Sequence, residues 1–136
     1  MLSLLRRKGL TRAIMNEDGN SSSEVVRISK ANKAVEDLRV KLHKFLPSGR
    51  TIWTVVGNES DAFVDLDPNG NRKPYCSCED FYFRVLSEKI PECYHLLAAR
   101  KAMKEEMYSV VEFNDEELLG FLNALIKDIF ASSSFR

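Results

Sequence analysis

The chain has 136 residues, 44% of them hydrophobic, and its 20 basic and 20 acidic side chains cancel. That length and composition fit one compact soluble domain with tails, and they exclude attraction of nucleic acid by net charge, so any such contact needs a local cluster. No apolar run approaches the ~20 residues needed to span a bilayer, and the opening MLSLLRRKG has only a short apolar patch before its charges, unlike a signal peptide.

The 3 cysteines cannot pair off within the chain, and C-x-C spacing is poor disulfide geometry. A reducing compartment is therefore expected: intracellular, cytoplasm or nucleoid or nucleus, with no membrane partner.

Residues 1–20 read as a basic, flexible tail, because Arg6, Arg7, Lys8 and Arg12 precede any acid and NEDGNSSS follows with linker chemistry. Ser21 and Glu24 resemble a capping box. Val25, Ile28, Ala31, Val35 and Leu38 then recur at helical spacing, predicting a helix that ends near Leu38. Three runs of period-2 character come next, RVKLHKF from Arg39, TIWTVV from Thr51 and AFVDL from Ala62, broken by the turn signals LPSGR, GNESD and DPNGN. They predict a three-stranded antiparallel meander. Glu79 to about Leu86 reads as a short helix with Phe81 and Val85 on one face, and Pro91, near N1, introduces a longer helix through ECYHLLAARKAMKEEM. Asn114 or Asp115 caps a last helix whose apolar residues run from Leu118 to Phe130, with Glu116 and Glu117 in its first turn and Lys127 near its far end. The expected class is α+β: a small three-stranded antiparallel sheet with flanking helices and a knuckle at the cysteine-bearing pairs Cys76-x-Cys78 and Cys93-x-His95, whose ligand chemistry makes it a zinc knuckle. The expected division is a tail at 1–20, the zinc-binding domain with its preceding helix and sheet at 21–110, and a C-terminal amphipathic helix and short tail at 111–136.

All three cysteines and one of the two histidines fall in two short pairs, Cys76-x-Cys78 and Cys93-x-His95. Three thiolates and one imidazole are a complete tetrahedral set for one structural Zn²⁺. Residues i and i+2 lie ~6.6 Å apart on an extended strand and roughly 200° apart on a helix, so each pair needs irregular backbone to reach one ion. Ser77 and the loop-to-helix junction after Pro91 supply it. A single buried cysteine would carry no such meaning, but two pairs that exhaust the cysteines favour a metal, and an S₃N set favours zinc over copper or iron–sulfur.

The pattern C-x-C, a spacer of 14, then C-x-H resembles the SWIM-type zinc finger, and the flanks RTIWTVVGNES, CSCEDFYFRVL and CYHLLAARKAM are similar to small SWIM proteins, archaeal ones included, that act with RecA-like recombinase paralogues. The likeness covers roughly residues 39–107. It implies zinc on Cys76, Cys78, Cys93 and His95, a RecA-like recombinase paralogue as protein partner, and accessory work in homologous recombination or DNA repair. Four protein ligands leave no coordination position for water, and no phosphate loop, nucleophile elbow or deaminase pattern occurs, so an enzyme is not expected. Two rival readings are a DNA-binding transcriptional regulator and a structural assembly factor without nucleic-acid contact.

Two surfaces are candidates for binding. Arg100, Lys101 and Lys104 cover one arc of the helix after the site, and with Arg84 and Lys89, and Arg72 and Lys73 before the cysteines, they make a basic strip that can meet DNA phosphates. On the last helix, Leu118, Leu122, Leu125 and Ile129 form an apolar stripe for the sheet, a protein partner or a homodimer. His43 reads as a sheet histidine rather than a ligand, and Trp53, Phe63, Phe81 and Phe83 as core rather than base-stacking residues.

Overall fold

A computed structural model describes residues 19–57, 60–67 and 69–132. In chain order it contains α1 (Gly19–Glu36), β1 (Val40–Leu46), β2 (Arg50–Val56), β3 (Asp61–Asp65), β4 (Tyr75–Cys76), a π-helical turn (Phe81–Val85), α2 (Tyr94–Glu105), β5 (Ser109–Asn114), a 3₁₀ turn (Asp115–Glu117) and α3 (Leu118–Ser132). The class is α+β, but the sheet is five-stranded and mixed, in the order β4-β3-β2-β1-β5. The expected meander β1-β2-β3 is present and antiparallel. Two strands extend it: β4 pairs antiparallel with β3, and β5 pairs parallel with β1. A parallel neighbour needs a long crossover. Here the crossover is everything between β1 and β5, including the cysteine pairs and α2.

The strand registers divide the side chains between two faces. Val40, Val55, Ala62, Val64 and Cys76 share one face, where they meet Ala31, Ala34 and Val35 of α1 and Leu96, Ala99 and Ala102 of α2 in a single buried cluster. Alanines at the facing positions of both helices let the backbones approach closely. The opposite face carries His43 and Phe45 of β1 and Phe113 of β5, and Phe121 of α3 closes over them, with ring centroids 4.6 Å from His43 and 5.6 Å from Phe45. His43 is thus a buried sheet residue, its Nε2 3.0 Å from the Thr54 hydroxyl. The β1–β2 turn is tied to the start of α3: the Ser48 hydroxyl donates to the Asp115 carboxylate at 2.7 Å, and the Ser48 amide donates to the same group at 3.1 Å.

Two helix starts differ from expectation, while the close of α1 near Leu38 agrees with it. Ser21 lies inside α1 rather than capping it, and Gly19 and Asn20 are helical; residues 1–18 of the expected tail lie outside the described residues. The helix stops at Leu38, whose φ of 56° is left-handed; the Leu38 amide bonds to the Val35 carbonyl and the Arg39 amide to that of Ala34. This paired closure normally uses glycine. Pro91 sits ahead of α2 and not at N1, because Cys93, in extended backbone at φ −80° and ψ 169°, is the residue that caps it. The last helix starts as expected at Asn114, whose amide donates to the Glu117 carboxylate at 2.8 Å in a capping box.

Candidate metal centre

Cys76 ends the short strand β4, opposite Val64, and so points into the buried face of the sheet. Ser77 completes the ladder in an irregular way: its amide donates to the Phe63 carbonyl at 3.0 Å, while its hydroxyl accepts from the Phe63 amide at 2.9 Å. The chain then turns into helix, and the Phe81 amide donates to the Cys78 sulfur at 3.3 Å. A backbone N–H aimed at sulfur favours the thiolate. This turn from strand to helix solves the C-x-C problem, since neither regular geometry would aim both side chains at one point.

The second pair uses the start of α2. Cys93 caps the helix and His95 follows within its first turn, where unpaired amides and the positive end of the helix dipole face the sulfurs. The Cys93 sulfur and the Leu96 amide form one such bond. Tyr94, beside the site, lies 4.0 Å from the His95 ring and takes the Lys30 ammonium of α1 over its own face at 5.5 Å.

The four ligand atoms of Cys76, Cys78, Cys93 and His95 lie within 4.8 Å of one another. Tetrahedral Zn–S bonds of about 2.3 Å imply sulfur separations of about 3.8 Å, so the nest is already near the size one ion would draw together. Cys76 and Cys93 are buried, Cys78 and His95 half-buried, and His95 Nδ1 is enclosed without a hydrogen-bond partner. The protons cannot be shared evenly among crowded sulfurs. Hydrogen bonds from the Cys76 and Cys93 thiols pull Cys78 far down, while the Cys76 thiol is pushed far up by its hydrogen bonds with Cys78 and Cys93, then by burial and the neighbouring sulfur charge. Thiolates crowded together repel one another, and a divalent cation at their centre is what allows all three to ionise together. The donor set therefore fits a metal ion, and the site can hold one.

The basic strip looks different from the sequence expectation. Arg84 lies 3.4 Å from Asp80, Lys101 lies 3.2 Å from Glu105, and Arg100 is paired with Glu92. Arg72 meets Asp65 at 2.8 Å and also neighbours Asp67. Lys89 and Lys104 form no ion pair among the described residues. On α3, Leu125 is buried and Leu118, Leu122 and Ile129 are half-buried, whereas Leu119, Ile126 and Phe130 are exposed.

Phe81 is buried and Trp53 packs on the core, edge-on to Tyr108, as expected; Phe63 is half-buried. Phe83 is not core. With Tyr82 and Leu86 it lies exposed on the turn that follows Cys78, the two rings edge to face at 5.0 Å. The spacing of Phe81 and Val85 marks the inner side of this turn, and the aromatic pair Tyr82 and Phe83 between them was the signal for an outer aromatic side.

Comparison with known protein families, curated proteins and solved structures finds no match for this chain. No helix among the described residues is long and apolar enough to cross a membrane.

Proposed function

We propose that the chain is a non-enzymatic, zinc-stapled interaction module of SWIM type, serving as an accessory factor in homologous recombination or DNA repair. The observation that carries the metal part is the gathering of Cys76, Cys78, Cys93 and His95 within 4.8 Å. Zinc is preferred because a tetrahedral S₃N set suits it. With all four positions filled by protein, the ion has no place for a reacting water, so its work is to fasten β4 and the π-helical turn to the start of α2. The recombination role rests on the resemblance of the cysteine–histidine pattern and its flanks.

A protein partner is favoured over DNA as the principal ligand. Most of the basic strip is matched by neighbouring acids, while Tyr82, Phe83 and Leu86 present an apolar surface next to the metal-bearing turn. Exposed aromatic residues of this kind supply the central contacts of many interfaces. The RecA-like ATPase implied by the resemblance is the partner to look for. Affinity isolation of the tagged full chain from native cells should recover such an ATPase, and Tyr82→Ala with Phe83→Ala should lose it while retaining metal. Recovery of DNA alone, surviving loss of those rings, would favour the reading as a DNA-binding regulator.

A further inference from the structure

The two ends of the sheet are finished differently. β4, at one edge, is only two residues long, which blunts it as a template for pairing. β5, at the other, has six residues, SVVEFN, with no proline, glycine or lysine among them. Val110 is 53% exposed and Val111 37% exposed, on opposite faces of the strand. Met107, at the entry to β5, and Leu46, opposite Asn114 at its far end, are exposed as well. Sheet order places nothing beyond β5 among the described residues. Edges this long and apolar are normally paired or covered, because their outward N–H and C=O groups otherwise recruit any extended chain.

The strand is self-complementary in one register. A two-fold axis perpendicular to the sheet pairs β5 with its copy antiparallel, and like faces stay aligned only when opposite residue numbers have an even sum. Two such registers overlap most of the strand. Centring on Glu112 would set two carboxylates directly opposite, which is destabilising. Centring on Val111 sets Val111 against itself, Val110 against Glu112 and Ser109 against Phe113, with no like charges opposed. Glu112 stands opposite Lys44 of its own β1 in the strand register.

We propose that β5 is a homodimer interface: two copies of this chain join edge to edge through Ser109–Asn114, centred on Val111, into one ten-stranded sheet. The contact is small by the standard of permanent dimers and so is concentration-dependent. It leaves the metal centre, near the opposite edge beside β4, outside the contact.

The test uses the full, metal-loaded chain. Sedimentation should show the mass rising towards twice the chain mass with concentration, and Val111→Lys, which opposes two ammonium groups across the axis, should remain at the single-chain mass throughout. A register probe works independently of that variant's behaviour. Opposite Cα atoms in an antiparallel pair are about 4.5–5.5 Å apart, within disulfide range, while diagonal neighbours lie about 7–8 Å apart, beyond it. Under mild oxidation Val111→Cys should therefore form a covalent dimer and Val110→Cys should not, with the unsubstituted chain as control for the native cysteines. A single-chain mass at every concentration with no cross-link in the Val111→Cys variant, as expected if residues 1–18 or another protein cover the edge, overturns the proposal. Equal cross-linking at both positions overturns it too.

Discussion

Replacing Phe121 by alanine tests how α3 is held. The Phe121 ring is the main lid over the second face of the sheet, with centroids 4.6 Å from His43 and 5.6 Å from both Phe45 and Phe113. Truncating a fully buried phenylalanine costs about 3–5 kcal/mol, and Phe121 is half-buried, so about half of that, ~1.5–2.5 kcal/mol, is expected. The loss has a second signature in His43. Burial, and secondarily the Lys41 charge, hold its imidazole below the usual 6.5. Because the folded value is the lower one, the unfolded chain takes up the proton first as acid is added. The contribution of a neutral His43 is therefore complete above pH 6.5 and is lost as pH falls from there through the folded value. Without the Phe121 ring, water reaches the imidazole and its pKa should move back towards 6.5, flattening that part of the stability–pH curve. Urea unfolding of both proteins between about pH 5 and pH 8, with NMR titration of the His43 ring, measures both effects. A destabilisation below ~0.5 kcal/mol together with an unchanged His43 titration would refute this account of how α3 docks.

Three further outcomes are expected. Glu106 ends α2 in left-handed backbone at φ 57° with its side chain exposed, so Glu106→Gly should raise stability in urea by about 0.5–1 kcal/mol, and a loss would contradict the assigned closure. Ser48→Ala removes the hydroxyl link to Asp115 and should cost about 1 kcal/mol, the same cost failing to appear on an Asp115→Ala background, as a double-mutant cycle would show. Lys89→Ala with Lys104→Ala removes two of the strip's charges that form no ion pair among the described residues; if DNA binds there, the slope of log affinity against log salt should fall by about 2, whereas Lys101→Ala should change it less, since its ammonium is already matched by Glu105.

Local patterns in the sequence mark what local physics decides. Alternation along RVKLHKF, TIWTVV and AFVDL, bounded by glycine- and proline-bearing turns, foretells β1, β2 and β3, and Asn114 with Glu117 foretells the start of α3. The cysteine and histidine spacing names the four residues that the fold brings together. What local patterning could not show depends on distant partners. SVVEFN lies between two helical patterns with no glycine or proline to set it off, and it becomes a strand because β1 offers an edge from about 68 residues earlier in the chain. α2 closes on a non-glycine residue, Glu106, so the usual stop signal was missing there, whereas the close of α1 at Leu38 was marked by the end of its helical spacing. In the basic strip, the Arg84–Asp80 and Lys101–Glu105 pairs are local i,i+4 neighbours, whereas the pairing of Arg100 with Glu92 was hidden because Glu92 lies before α2, outside the helical wheel that gathers Arg100, Lys101 and Lys104.

Elemental analysis of the purified full chain, paired with thermal unfolding in the presence and absence of a strong chelator, tests the centre of this account most directly. One zinc per chain is predicted, lost on Cys93→Ser, with chelation markedly lowering the melting temperature because no ion then binds β4 to α2 or offsets the repulsion among the sulfurs. A well-folded preparation that carries no metal and melts at the same temperature with or without chelator would contradict it.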